Sequence, residues 1–323
     1  MIFLKEKQLA NTLTKLLRFL DDKYTVLLGI MLFVCVLPVY FSSAGPGAKI
    51  VASLYWFAAA TAYPDRRKDI KWITFIILMV PFVFFLTYIQ KYGYSIWGQV
   101  LHLEATKMKS LVDLNPIFRK IPFNDGAFAR IYTSQTLTWF MRLVYNNGFV
   151  VTAIIPIYRA AMCKDIKKMI RYLLSAHVLQ IFLISPFYVA FHLQEVWFVL
   201  GQPDGLARHL SPQAAAGWTL NCFPSMHTSI SFAMFLLVIR EKDVIFKWVW
   251  GFFCLSVIYS TMYLEVHWVL DIFAGMLLAY CTVKIVDFLL AKSDKLLAKY
   301  HKYFKRNEDS FLLNDPTNKK LPF

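Results

Sequence analysis

Long apolar runs separated by short clusters of lysine and arginine make up most of this sequence. Eight runs approach the roughly 20 residues that a helix needs to cross a bilayer. They are Tyr24–Phe41, Ile50–Tyr63, Trp72–Gln90, Leu143–Met162, Tyr172–Leu193, Ser225–Ile239, Trp248–Leu264 and Trp268–Leu290. The second and sixth are short for a span, and the eighth carries Asp271 and Lys284. The pattern predicts an all-α, polytopic integral membrane helix bundle of about eight spans. Ahead of the first run, Leu9, Leu13, Leu16, Leu17 and Leu20 recur at helical spacing among Lys5, Lys7, Lys15 and Arg18. That predicts an amphipathic interfacial helix over 1–23, lying on the membrane surface. It lacks the continuous apolar core and small-residue cleavage site of a signal peptide.

The runs divide the chain into N-terminal spans with an outer interfacial segment (24–142), a second bundle (143–291) and a basic tail (292–323). The long stretch 91–142 mixes aromatics and charges with Asn115-Pro116 and Ile121-Pro122, and predicts interfacial helices capping the bundle. The polar end from Asn307 reads as an irregular tail. No fixed-period repeat or low-complexity tract is visible.

Composition narrows the class. Of the 323 residues, 58% are hydrophobic and only 17% charged, where soluble domains carry about 25%. A soluble enzyme and a disordered chain are excluded. The net charge of +15 could suit nucleic acid, but the basic residues sit between apolar runs, where they orient helices in a bilayer. No nucleic-acid partner is expected. The five cysteines, Cys35, Cys163, Cys222, Cys254 and Cys281, form no C-x-x-C pair and signal neither a disulfide framework nor zinc.

Charge also sets an orientation. Connections 64–71, 163–171 and 240–247 are rich in lysine and arginine, as are the N-terminus and the tail. The short alternate connections carry little, with Arg208 the sole arginine or lysine across 194–224. The long outer stretch 91–142 holds several basic residues, but long loops weigh little in setting orientation. The positive-inside rule therefore predicts cytoplasmic termini.

Ionisable residues at membrane depth are expensive and point to function. Asn221-Cys222-Phe223-Pro224-Ser225-Met226-His227 opens the sixth run. Pro224 and Ser225 predict a helix start, whose free N–H groups and dipole suit a phosphate, with His227 in the first turn. Ser260-Thr261-Met262-Tyr263-Leu264-Glu265-Val266-His267 leads into the eighth run, with Asp271 four residues on. His267 and Asp271 thus share a helix face, and the carboxylate can fix the imidazole tautomer. Both histidines begin spans on the extracytoplasmic side, at one depth. A structural pair or a metal site remains open for His267 and Asp271 taken alone, although no third ligand is spaced to match. His177, isolated in the fifth run, reads as a packing residue.

The P-S-M-H and H-x-x-x-D motifs together resemble the second and third signatures of the type 2 phosphatidic acid phosphatase superfamily, over roughly 145–290. Ser260-Thr261-Met262-Tyr263-Leu264 is similar to the inositol phosphorylceramide synthase branch. The resemblance implies a phosphotransferase on lipid phosphoesters, with His267 as nucleophile, Asp271 orienting it and His227 as proton donor. It implies phosphate binding by Ser225 and, in the third signature, by Ser260 and Thr261. Its implied partners are a phospholipid donor and a ceramide or diacylglycerol acceptor; no P-loop appears and nothing demands a nucleotide, metal or other cofactor. A lipid phosphate phosphatase, with water as acceptor, is the alternative. A transporter is the remote one, and would predict repeats or broken mid-membrane spans. Thr261 stands where the family's third signature has arginine, so one phosphate-neutralising charge is missing. The first signature has a formal match in Lys164…Arg171-Tyr172, but the orientation places it across the membrane from the histidines. Arg208 is the better-placed phosphate clamp.

Overall fold

The computed structural model describes residues 12, 15, 22–67, 69–107, 112–220 and 222–313. The interfacial helix expected over 1–23 lies almost wholly outside them. The described chain is helical, apart from one parallel pair of two-residue strands. Its helices are α1 (Tyr24–Phe41), α2 (Pro46–Thr61), α3 (Trp72–Lys107), α4 (Asn115–Lys120), α5 (Gln135–Met162) and α6 (Ile166–Tyr188). They continue as α7 (Val196–Leu200), α8 (Pro212–Trp218), α9 (Met226–Val238), α10 (Val244–Tyr263) and α11 (Val269–Leu313). The strands are β1 (Val112–Asp113) and β2 (Phe191–His192).

All eight apolar runs fall on helices. Five are long and apolar enough to cross a membrane: α1, α5, α6, α10 and Val269–Lys299 of α11. Two more, Trp72–Phe85 and Met226–Val238, are apolar but shorter. These helices make the chain an integral membrane protein. Their outward side chains agree, because Phe33, Phe84, Phe252, Phe273 and Leu277 are exposed. Such a surface is a liability in water and a solvent match in lipid.

Helix boundaries follow local chemistry. Ser134, Asp165, Ser211, Ser225 and Asp243 each accept a backbone N–H from the first turn of α5, α6, α8, α9 and α10. Pro46, Pro116 and Pro212 occupy first turns, where a missing N–H matters least. Two expectations change. Ser225 caps α9 as foreseen, but Pro224 precedes the cap instead of entering the first turn. The chain from Asn307 is helical to Leu313, since α11 runs on through a stretch of Lys, Leu and Ala, all strong helix formers.

Helices α5, α6, α9 and α10 interlock around one apolar core that includes Ile155, Ile184, Ile230, Met234 and Trp250. One end of this bundle is closed by a buried ion network. Arg159 donates to Glu241 (2.9 Å), Asp65 (2.6 Å) and the Thr61 carbonyl (2.8 Å), and lies over the Phe246 ring. Lys168 (2.8 Å) and Tyr172 converge on the same Glu241. Residues 284–323 form a second compact unit, whose described part is the continuation of α11.

Candidate active site

The other end of the bundle carries both histidine turns. Between α10 and α11 the chain reverses through Glu265, held in the left-handed region (φ 56°). The Thr261 carbonyl accepts the N–H groups of Val266 (3.0 Å) and His267 (3.1 Å), which closes the turn. Arg130 braces it from outside, pairing with Glu265 (3.0 Å) and donating to the Met262 carbonyl (3.2 Å). Burial holds the Glu265 carboxyl above the ordinary range, against the pull of Arg130.

His267 is 4% exposed and Asp271 is fully buried. Their Nδ1 and Oδ1 atoms face each other at 3.3 Å. The alignment falls short of a formed hydrogen bond, and neither atom has any other partner. Among the described residues the pairing is therefore the one interaction open to both, and it leaves Nε2 as the nitrogen outside it. The second carboxylate oxygen, Oδ2, accepts the N–H of Trp268 (2.9 Å).

His227 lies in the first turn of α9, its ring stacked on Tyr145 (4.3 Å between centroids, 19°) and edge-on to Phe149. The His227 and His267 ring centroids are 6.2 Å apart. The two turns are tied through the backbone, since the N–H of Ser225 donates to the Asp271 carbonyl (3.2 Å). Gly275, one turn along α11, permits that approach, because a Cβ there would come within 2.6 Å of the Ser225 carbonyl oxygen.

The two helix starts differ in what they leave free. At α11, Trp268 N–H goes to Asp271, Val269 N–H to the Asn124 carbonyl (2.8 Å) and Leu270 N–H to Asn124 Oδ1 (2.9 Å). At α9, Ser225 Oγ accepts from Thr228, while the N–H groups of Met226 and His227 have no acceptor among the described residues. A helix start with free N–H groups beside the histidines therefore exists at α9 and not at α11 among the described residues.

The other residues singled out from sequence are engaged. Ser260 and Thr261 are buried, and their hydroxyls donate to the Val257 and Ile258 carbonyls (2.6 and 2.7 Å). The Ser225 hydroxyl donates to Thr228 Oγ1 (3.0 Å). Arg208 is clasped by Glu195 and by Asp204 (2.8 Å to Oδ2) and lies over the Trp197 ring. Burial would raise Asp204, but hydrogen bonds from Arg208 overcome it and hold the carboxyl below the ordinary range. The loop that holds Arg208 lies against the His267 turn, because the N–H of Trp197, whose ring Arg208 covers, donates to the Glu265 carbonyl (3.0 Å).

Lys164 and Arg171 do not join the site. They belong to the turn and first helical residues that, with Lys168 and Tyr172, build the Glu241 end of the bundle. Along α5, Tyr145 and Arg159 mark the two ends, about 21 Å apart at 1.5 Å per residue.

Asn124, Arg130, Tyr145 and Gly275 were not singled out from sequence. Asn124-Asp125-Gly126 is a turn signal, yet nothing local shows that it caps a helix more than 140 residues away. Asn124→Ala should remove one of the two bonds that Asn124 makes to the start of α11, that to the Leu270 N–H, and destabilise the protein by about 1–2 kcal/mol. Thermal unfolding of the variant beside wild type measures this, and an unchanged midpoint contradicts the capping role.

Residues 170–291, which hold both histidine turns, match the PAP2 superfamily. No curated protein and no solved structure matches the chain. The family match supports an enzyme, a phosphatase or phosphotransferase of the kind that acts on lipid phosphoesters. Asn124, Arg130 and Tyr145 lie outside the matched stretch.

Proposed function

We propose that this protein is a membrane phosphotransferase that acts on lipid phosphoesters through a phosphohistidine, at the extracytoplasmic face, in the manner of inositol phosphorylceramide synthases. The observation that carries this reading is the pair of imidazoles 6.2 Å apart, one backed by a buried carboxylate. In the first step Nε2 of His267 attacks phosphorus while the bond to the leaving oxygen breaks, and His227 gives that oxygen its proton. In the second step His227 takes the proton of an incoming hydroxyl as its oxygen displaces His267 from phosphorus. Asp271 holds the Nδ1 proton throughout.

The charge that the family's arginine would supply at Thr261 comes, on this reading, from the Met226 and His227 N–H groups at the start of α9, with Arg208 nearby. Ser225 shapes that helix start as its cap, and Thr261 acts through its carbonyl on the His267 turn. No metal or cofactor takes part in these steps.

Transfer and hydrolysis share every step but the last, so the acceptor decides between them. The test uses purified protein with a head-group-labelled phospholipid, with and without ceramide or diacylglycerol. A new labelled lipid that requires the acceptor supports transfer. Release of water-soluble label at the same rate in both arms supports the phosphatase. No reaction in either arm contradicts both.

The orientation is tested separately. Cysteines introduced at Lys168 and Arg208 should react with an impermeant thiol reagent from opposite sides of sealed vesicles. Arg171→Ala should leave turnover per folded protein near wild type, because a guanidinium at the Glu241 end cannot reach a phosphoryl group at the histidines. Labelling of both positions from one side, with collapse of turnover in a well-folded Arg171→Ala protein, contradicts the topology.

A further inference from the structure

Four arginines stand on the histidine-bearing end of the bundle; Arg119 is exposed on α4, and two of the others are neutralised. Arg130 is paired with Glu265 and Arg208 with Glu195 and Asp204. Arg142 differs. Its Nε donates to the Gly205 carbonyl (2.7 Å), and no carboxylate among the described residues pairs with it. It is half-buried on α5, one turn before Tyr145, the residue stacked on His227. Gly205 in turn lies against Leu264, since a Cβ there would come within 2.2 Å of the Leu264 carbonyl oxygen. Arg142 is thereby fixed beside the strand of chain that leads into His267.

Arg142 lines an open cleft of about 520 Å³ with Thr133, Ser134, Gln135, Thr138 and Trp139. The lining carries one full positive charge, the Thr133 hydroxyl, the Gln135 amide and no carboxylate, while the Ser134 hydroxyl caps α5 and that of Thr138 bonds Tyr263 (2.8 Å). An uncompensated guanidinium with donors around it is the chemistry of a phosphate site. The flank is apolar: Ile131, Tyr132 and Trp139 are 88%, 71% and 53% exposed. Aromatic and aliphatic side chains in that position suit the boundary between head groups and acyl chains.

We infer that this cleft binds the phosphate of a membrane lipid, with Arg142 on the phosphate and Ile131, Tyr132 and Trp139 against the upper acyl chain. The assignment does not depend on how the histidines react, and the site is separate from them, because neither His227 nor His267 lines it. A lipid held there lies next to the reaction centre without entering it, either waiting its turn or anchoring this end of the protein.

The test uses the full chain carrying His267→Ala, so that turnover plays no part, with a photoreactive amino acid at Gln135. The probe is dioctanoyl phosphatidic acid in detergent micelles, and the readout is lipid adduct at position 135 by mass spectrometry. The adduct should form, be competed by excess of the same lipid, and resist dioctanoylglycerol. Arg142→Gln should reduce it about tenfold or more, in line with loss of a charged hydrogen bond, while circular dichroism and the unfolding midpoint stay unchanged. Arg142→Lys should restore part of it by keeping the charge. Absence of adduct, or adduct indifferent to Arg142→Gln in folded protein, overturns the site. Competition by inorganic phosphate as effective as that by the lipid overturns the lipid as its occupant. Activity at the histidines is measured on the parent protein, so failure of the phosphotransferase reading is distinguishable from failure of this one.

Discussion

His267→Ala should abolish turnover, while Asp271→Asn should leave a residue of activity lower by on the order of 10⁴-fold, the cost of a mis-set tautomer in a serine-protease His–Asp pair. The ordering follows from where the two oxygens of Asp271 point. One faces His267 Nδ1 at 3.3 Å and the other accepts the Trp268 N–H. In Asp271→Asn the amide oxygen can keep the Trp268 bond, so the start of α11 survives. The amide NH2 then faces Nδ1, which must become an acceptor, and the imidazole proton moves to Nε2, the nitrogen needed for attack. The fold stays and the nucleophile is blocked. Initial rates on a lipid phosphoester, normalised to folded protein, measure both variants. Wild-type rates in His267→Ala would remove the phosphohistidine from the mechanism.

The second large effect is expected at the opposite end. Glu241→Ala should destabilise the protein by about 3–5 kcal/mol, the range for breaking a buried ion pair from one side. Glu241 is 3% exposed and receives Arg159, Lys168 and Tyr172. Its loss leaves the 1%-exposed Arg159 with Asp65 as its remaining carboxylate. Glu241→Gln keeps both acceptor and shape and should lose less. Asp69→Ala, which removes an exposed partner of Arg67, should change nothing measurable. Unfolding midpoints of the three variants in one detergent compare them directly. Equal midpoints for Glu241→Ala and Asp69→Ala would show that the network does not support the fold.

These two ends were unequally legible in the sequence. The helices were readable because hydropathy is a property of consecutive residues, and all eight apolar runs became helical. The histidine motifs were readable for a similar reason, since His267 and Asp271 are four apart and Ser225 and His227 two apart. Side chains that serve the site from a distance were not. Tyr145 meets His227 across 82 positions and Asn124 meets Leu270 across 146, and no local pattern reports such contacts. The hydroxyls of Ser260 and Thr261 bond carbonyls three residues back in their own helix, the usual recourse of short polar side chains in an apolar setting. Arg208 looked like a lone cation because its partners, Glu195 and Asp204, are also sparse acids in a weakly charged loop. Arg142, hidden inside an apolar helix, is a half-buried guanidinium that no carboxylate among the described residues pairs with.

The hydrogen bond from Ser225 N–H to the Asp271 carbonyl has a consequence for how this centre can be dissected. It joins main chain to main chain, so the separation of the two histidines does not depend on either imidazole being present. Truncating one ring leaves a ring-shaped vacancy with the other still in register. Such a vacancy can be refilled from solution. Free imidazole added to the truncated proteins would then substitute for the missing side chain as a diffusible reagent, and the dependence of rate on its concentration and basicity would tell nucleophile from proton donor.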